Sequence, residues 1–584
     1  MNRTRLIILS VLIWAGVPGQ IAANERLNLL KNVSAAGAPT LTLKMLDQAQ
    51  PKVDVDLYEW ILWEQERFSI LSQWRQWDQL LVRVESLPDD IPDQFKDQAS
   101  TYKVRAYLEL GQTLTARHIL RQLVWKPGAG TSSEYEIWRR LIINSYLRDG
   151  RTDDARIAML RFDQDFASSD IEWILLRSRV LIDSGRHEQA IQILQGQDHW
   201  KARVTSLLAQ FQQRQIDAAE LWAYVDQRSK ETSEADELAS LWALGFHASQ
   251  ELSPVDKVVA LESLFRIGVG SPLELFQVPV DSLWQAYIEY ATLVGNRSEL
   301  LLGDDENWLA LAQNVSQITP VKARSLFALL IARSPDSGIV NRAANGYMQT
   351  FAEIDEAERI LLDNLFNQSQ VFSSADKIPP LIRYQLVDLA LRSADIAEAT
   401  RLMSGLTTTP QGTSQFNWQL RQSRVLILGG RYDEGDQVLQ GLIMAYDEPT
   451  KEDTDRILQV LFDMQTVNLH QQAIAHLNHL ISLEIDPKQR REILYWIADS
   501  YNGLEKYDQA AVLYLQSAML PGTDAMDSWA QTARYHAAEN LQKSGLIDDA
   551  RRIYQDLLRV TQDPAQRSLL SHNIQQLWLT QNIQ

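Results

Sequence analysis

Cysteine is absent from all 584 residues, which excludes disulfides, thiolate metal sites, cysteine nucleophiles and a lipid-modified N-terminal cysteine. Such a chain suits an oxidising compartment, where stray thiols are a liability. Glycine (25) and proline (18) are scarce, too few for the frequent turns of an all-β chain. Basic residues fall short of acidic ones, 56 against 75, for a formal charge of -19. The resulting field repels a phosphate backbone, so nucleic acid is not an expected partner. Beyond the N-terminus no apolar run is long and uncharged enough to cross a bilayer. The chain also has no GxSxG elbow and no HExxH helix. Its GxG fragments, Gly128-Ala129-Gly130 and Gly268-Val269-Gly270, lack the Lys-Ser/Thr that would cradle a phosphate.

What remains is a chain that is 45% hydrophobic and too long for one compact core, so several domains or one elongated array are expected. At its start, Arg3 and Arg5 precede an uncharged, mostly apolar stretch at residues 6–17 (LIILSVLIWAGV), broken by Pro18-Gly19 before Ile21-Ala22-Ala23. This is the layout of a secretory signal, with cleavage expected after Ala23. The stretch is shorter than the roughly 20 residues that span a bilayer. Losing Arg3 and Arg5 leaves 54 basic against 75 acidic residues, 54 - 75 = -21. The mature chain is expected to be soluble and exported, into the periplasm of a Gram-negative bacterium, with no transmembrane segment.

Further along, one pattern recurs. A helical stretch ends in Tyr or Leu, a Gly or polar residue follows, then a short acidic segment, then Ala five residues after the Gly, then a second amphipathic helix. Clear copies centre on Gly111 with Ala116, Gly150 with Ala155, Gly185 with Ala190, Gly430 with Gly435, and Gly545 with Ala550; Tyr501 with Ala510 is another. Degenerate copies contain Ala219, Ala357, Ala399 and Ala473. Gly111, Gly150 and Gly185 are 39 and 35 residues apart, and Ala399, Gly435, Ala473, Ala510 and Ala550 are 36, 38, 37 and 40 apart. A period in the high thirties means stacked helix pairs. The Gly ends the first helix in the left-handed conformation. The acids that follow, such as Asp153-Asp154, Asp433-Glu434 and Asp548-Asp549, are expected to cap the second helix and meet its positive end.

These residues resemble the tetratricopeptide repeat, whose loose signature is aromatic, small, aromatic, turn Gly, Ala, aromatic. From about residue 492 to 558 the order Leu494, Ala498, Tyr501, Ala510, Tyr514 follows it. This part is similar to repeats of bacterial envelope proteins, including the β-barrel assembly lipoprotein and the Tol-linked division coordinator, although the lipidated cysteine and coiled coil of those families are absent. The resemblance implies an all-α, right-handed α-solenoid of tetratricopeptide-like hairpins. The layout reads as signal peptide 1–23, N-terminal repeats 24–228, an irregular helical middle 229–338, C-terminal repeats 339–560, and a capping helix and tail 561–584. In such arrays the first helices line a groove. Mapped onto the two best repeats, the groove positions are Tyr495, Asp499, Asn502, Tyr535, Glu539 and Gln542, with side chains suited to receiving a peptide or helix.

Other constellations read as structure. Trp60, Trp63, Leu71 and Trp74 share one helical face, as core residues do, which leaves Trp77 as an exposed aromatic that a glycan or peptide could use. His476 and His479 stand one turn apart near His470, but nothing completes a metal site. No metal and no cofactor are expected. Periplasmic lytic transglycosylases also use long α-superhelices, but their catalytic domain should follow the superhelix, and here repeats continue nearly to the end. The sequence therefore points to a non-enzymatic scaffold or adaptor that holds envelope proteins in assembly or maintenance. A glycan- or peptidoglycan-binding accessory protein and a cell-wall enzyme with a cryptic site are the alternatives.

Overall fold

The computed structural model describes residue 27 and residues 30–31, 33–34 and 37–581, apart from 317, 446–449, 484–485 and 521–526. The signal segment expected at residues 1–23 lies outside the described residues. Among the described residues every regular element is helical, and none of the helices is long and apolar enough to cross a membrane. They form two units, Met1–Glu231 with Leu273–Leu275, and Thr232–Pro272 with Phe276–Gln584.

In the first unit the helix Pro39–Ala49 precedes five hairpins: Leu57–Gln73 with Trp77–Glu85, Asp93–Glu109 with Thr113–Trp125, Tyr135–Arg148 with Thr152–Asp165, Ile171–Asp183 with His187–Leu194, and Trp200–Gln212 with Ala218–Ser229. The second unit opens with an irregular helical portion and then builds five more. These are Pro380–Arg392 with Ile396–Met403, Gln415–Leu428 with Tyr432–Met444, Lys451–Thr466 with His470–Ser482, Pro487–Gly503 with Tyr507–Ala518, and Ser528–Lys543 with Ile547–Val560, covered by Pro564–Gln581. The hairpins have the tetratricopeptide-like form implied by the residue pattern.

All ten hairpins turn in one way. The second residue after the first helix is left-handed: Arg75, Gly111, Gly150, Gly185 and Arg214 in the first unit, Ala394, Gly430, Asn468, Glu505 and Gly545 in the second. Its N–H and that of the next residue reach back to the helix, as in Gly150 N to Leu147 O at 3.0 Å and Arg151 N to Tyr146 O at 2.9 Å. These bonds satisfy carbonyls that the helix end leaves unpaired. Five residues on, the second helix places a small side chain against the first: Ala116, Ala155, Ala190, Ala399, Ala473, Ala510 and Ala550 are fully buried. The degenerate copies at Ala399 and Ala473 thus fold like the clear ones, with Ala394 or Asn468 in place of Gly.

Several positions depart from the sequence reading. Arg75 turns a hairpin that the pattern did not reveal, because buried Leu80 stands where Ala is usual. Ala219 is exposed and Ala218 is buried instead, since Asp217 caps the helix three residues after the left-handed Arg214, two later than the cap in other hairpins. Ala357 does not begin a hairpin copy. Its helix Glu356–Leu362, capped by Asp355, follows no left-handed residue and runs into a π-helical turn, Asp363–Gln368. The acids of the second helices lie in the first turn without capping it, because Arg151, Arg431 and Leu546 occupy the cap position and offer no side-chain oxygen. They contribute through the dipole and through pairs such as Arg151–Asp154. Glu434 instead accepts the Gly405 N–H at 2.8 Å, tying its hairpin to the one before.

The irregular portion extends from Thr232 until hairpins resume at Pro380. Its core joins Trp284, Tyr287, Tyr347 and Phe366 edge to face. Inside lies Glu262, 1% exposed, whose carboxylate accepts from Arg324 at 2.8 and 2.6 Å, Tyr287 at 2.8 Å and Arg266 at 3.1 Å. Burial pushes both tyrosine hydroxyls well above their ordinary range, and the Glu262 charge adds to the shift. With both carboxylate oxygens of Glu262 engaged, the network favours one packing of these helices, since a buried carboxylate without partners would be costly.

At the seventh hairpin Gly435 takes the place of the usual Ala. A Cβ there would lie 2.8 Å from Ile427 Cγ1 and 3.1 Å from the Ile427 backbone N. Gly435→Ala, the change toward the repeat pattern, is therefore expected to destabilise by about 1–3 kcal/mol. Ala394→Gly, at a left-handed turn, should stabilise by about 0.5–1 kcal/mol after Gly's own entropy is subtracted. Thermal unfolding of the full chain checks both signs.

Candidate functional site

The six positions expected to line the C-terminal groove sit on Pro487–Gly503 and Ser528–Lys543, and all are half-buried. The Tyr495 ring packs against Tyr514, Trp529 and His536, with centroids 5.0, 5.1 and 5.9 Å away. Asp499 accepts from the Tyr514 hydroxyl at 3.1 Å, and Glu539 lies 2.9 Å from His536 Nδ1. Tyr535 packs on Tyr554, and its hydroxyl accepts from Asn573 Nδ2 at 3.3 Å. Asn502 accepts from Lys543 at 3.2 Å, while the carbonyl of Gln542 serves the turn at Gly545. Burial, with Asp499 and Glu539 nearby, pushes the Tyr495 hydroxyl up to about 12. Burial works against the Glu539 charge, but the His536 hydrogen bond and its neighbours hold that carboxyl below its usual value. The structure thus brings Tyr495, Asp499, Tyr535 and Glu539 near one another: Tyr495 reaches the next hairpin through Trp529 and His536, while Asp499 and Glu539 are engaged within their own hairpins.

The aromatic expectation is reversed at the first hairpin. The helix ends at Gln73 and Arg75 turns left-handed, so Trp74 is 41% exposed. Trp77 opens the second helix and packs on the cluster around Phe68 and Leu80. His476 is buried with Nε2 2.6 Å from Asp436, whereas His479 is exposed. His470 lies over Gly503, where a Cβ would come within 2.4 Å of its Nε2. The three rings do not converge, and among the described residues no group of three or more His, Asp or Glu is placed to hold a metal ion.

A better-formed recognition site lies in the first unit, at its second stretch, Leu273–Leu275. Glu274 reaches two arginines on successive first helices, Arg148 and Arg179. Its Oε1 accepts from Arg148 Nε at 3.2 Å and Nη2 at 2.9 Å, and its Oε2 pairs with Arg179 Nη1. Each arginine is held independently: Arg148 donates to Leu108 O at 2.5 Å and Glu109 at 2.6 Å, Arg179 to Asn144 at 3.2 Å. Burial opposes the Arg148 charge, and Glu274 with Glu109 outweigh it. On either side, Leu273 packs beside Leu175, Leu194 and Ala202, and Leu275 joins the cluster of Ile143, Leu147 and Val180. This is recognition chemistry: a charge held by a pair of guanidiniums between two apolar sockets. Sequence reading missed it, although Glu274 lies in the segment 229–338 read as irregular. Periodicity links residues of neighbouring repeats, not partners 126 positions apart.

No family model matches the chain, and no curated protein does. Solved structures to which it is similar include the Cut9-Hcn1 hetero-tetramer of the APC/C, 14% identical over 87% of this chain and 95% of that one, with a TM-score of 0.21. Yeast Tom70 is 12% identical over 83% and 96%, at 0.24. The pentatricopeptide repeat protein PPR10 in complex with an 18-nt psaJ RNA element is 13% identical over 92% and 85%, at 0.25. Superposition is too loose at these scores to carry a partner or a function from any of them.

If Tyr495 is packing rather than a free contact, Tyr495→Ala should destabilise the C-terminal hairpins by about 2–4 kcal/mol, whereas Gln542→Ala should stay within about 0.5 kcal/mol. Thermal unfolding of the full chain distinguishes the two, and a silent Tyr495→Ala would return that ring to the ligand surface.

Proposed function

We propose that this chain is an exported scaffold that holds partner proteins by short extended segments laid across the first helices of its hairpins, in the assembly or maintenance of a bacterial envelope. The observation that carries the reading is the seating of Leu273–Leu275. The first-helix face of the N-terminal unit accommodates a leucine-acid-leucine peptide, with Arg148 and Arg179 positioned for the carboxylate. A foreign segment of the same character would find the same sockets. Repeat stacking supports this role, because hairpins in series expose their first helices as one surface per unit. The export half rests on Arg3, Arg5 and the apolar residues 6–17, and the periplasm is the compartment that fits both them and the lack of cysteine.

The peptide GSPLELFQV, residues 270–278, tests the binding half. A full-length variant carrying Leu273→Ala, Glu274→Ala and Leu275→Ala has an emptied face and is expected to bind the labelled peptide saturably. Adding Arg148→Ala and Arg179→Ala should weaken that binding by about tenfold or more. The unaltered chain should bind more weakly than the triple variant, because its own segment competes at high effective concentration. Absence of saturable binding to the triple variant would refute the reading. For the export half, the secreted or periplasmic protein should begin at Asn24 on N-terminal sequencing, and a product retaining Met1 would contradict cleavage.

A further inference from the structure

A second surface of the first unit is built for a different ligand. A cleft of about 730 Å³ opens between the second helices Thr113–Trp125 and Thr152–Asp165, floored by Tyr135–Arg148. Its own acids are already matched: Asp154 pairs with Arg151 at 2.7 Å and Asp165 with Arg139 at 2.8 Å. Arg117 is likewise committed, to Asp149 and to the Ser145 carbonyl at 2.7 Å. Arg121 and Arg161, one on each wall, are exposed and have no carboxylate within ion-pair distance among the described residues. In a chain with 75 acids to 56 bases, two uncommitted guanidiniums across one cleft form a local excess of positive charge. Arg117 and Arg151, each paired with an acid, lie over the Tyr146 ring, 5.1 and 5.2 Å from its centroid.

The same walls carry apolar surface that nothing in the unit covers. Trp125 is 85% exposed at the end of its helix, and Ile157 faces it from the other wall at 44%. Each wall is a helix of 13 or 14 residues, so the trough runs for about 20 Å. Two flanking helices over a helical floor leave the space that a third helix fills, and its side chains would meet charge and apolar surface together. We propose that this cleft docks an acidic amphipathic helix of a partner protein. Its carboxylates would pair with Arg121 and Arg161, and its apolar stripe would cover Trp125, Ile157 and Tyr146. Charge complementarity makes the choice of an acidic occupant; the exposed indole and isoleucine favour a helix with an apolar face over a purely charged chain. The cleft is walled by second helices, and Arg121, Arg161, Trp125 and Ile157 take no part in the seat of Leu273–Leu275, so variants at these positions test the cleft alone.

The test is selection of a displayed library of randomised helical peptides on the purified full-length chain. Enriched peptides should be acidic, with Leu or aromatic residues spaced three and four apart. They should bind at least tenfold more weakly to Arg121→Glu/Arg161→Glu and to Trp125→Ala, and more weakly as salt is raised. Both variants alter exposed side chains and should keep the unfolding midpoint of the parent, which separates lost binding from lost fold. Failure to enrich, enrichment without an acidic excess, or undiminished binding to both variants would overturn the proposal. So would polygalacturonate binding that the arginine variant abolishes while selected peptides bind elsewhere, since the cleft would then serve an anionic polysaccharide.

Discussion

The architecture depends on how closely two helices of a hairpin can approach one turn after the chain reverses. The left-handed residue sets the reversal, and the buried small side chain five positions later sets the distance. Neither suffices alone. A reversal without a small residue leaves the helices apart unless a larger side chain interdigitates, as Leu80 does. A small residue without the reversal, as at Ala357, makes no hairpin. Once the approach is fixed, the remaining surface of each pair can be buried only against the next pair. Serial stacking follows from that requirement.

Stacking distributes the large side chains between hairpins rather than within them. In the C-terminal hairpins Tyr495 bridges its own repeat and the next through Tyr514, Trp529 and His536. Within those hairpins Tyr514 donates to Asp499 and Glu539 lies against His536, so polar pairing inside each hairpin accompanies the aromatic contact between them. The N-terminal unit shows the complementary situation. There the first helices retain two guanidiniums and two apolar sockets, and a segment from outside the repeats fills them. A binding surface in this fold is a place where the stacking rule leaves groups that the neighbouring repeat does not use.

The legibility of these features follows from the range of the interactions. Turns with glycine and alanine repeat at short range and could be read directly, including their period. Turns at Ala394, Asn468 and Glu505 were legible through the small residue alone, because a non-glycine in left-handed conformation has no sequence mark. The turn at Arg75 had neither mark. Trp74 and Trp77 exchanged roles because the helix ended one residue before the first of them, and a face assignment fails where the helix does. Among the six groove positions Tyr495 and Asn502 contact the next hairpin, while Asp499 and Glu539 are engaged within their own: family spacing gives the helix face, but what a side chain meets there depends on neighbours that spacing does not name. Glu274 could not be placed at all, since its partners at Arg148 and Arg179 lie on helices that no local rule connects to it.

In the proposed role, the first-helix face recognises a leucine-acid-leucine segment through the pairing of Glu274 with Arg179. A double-mutant cycle of Glu274→Ala and Arg179→Ala, read as the unfolding free energy of the N-terminal unit, measures that pairing directly. A coupling of about 1–3 kcal/mol between the two sites is expected. Additive effects of the two substitutions would mean that the carboxylate and the guanidinium do not recognise each other.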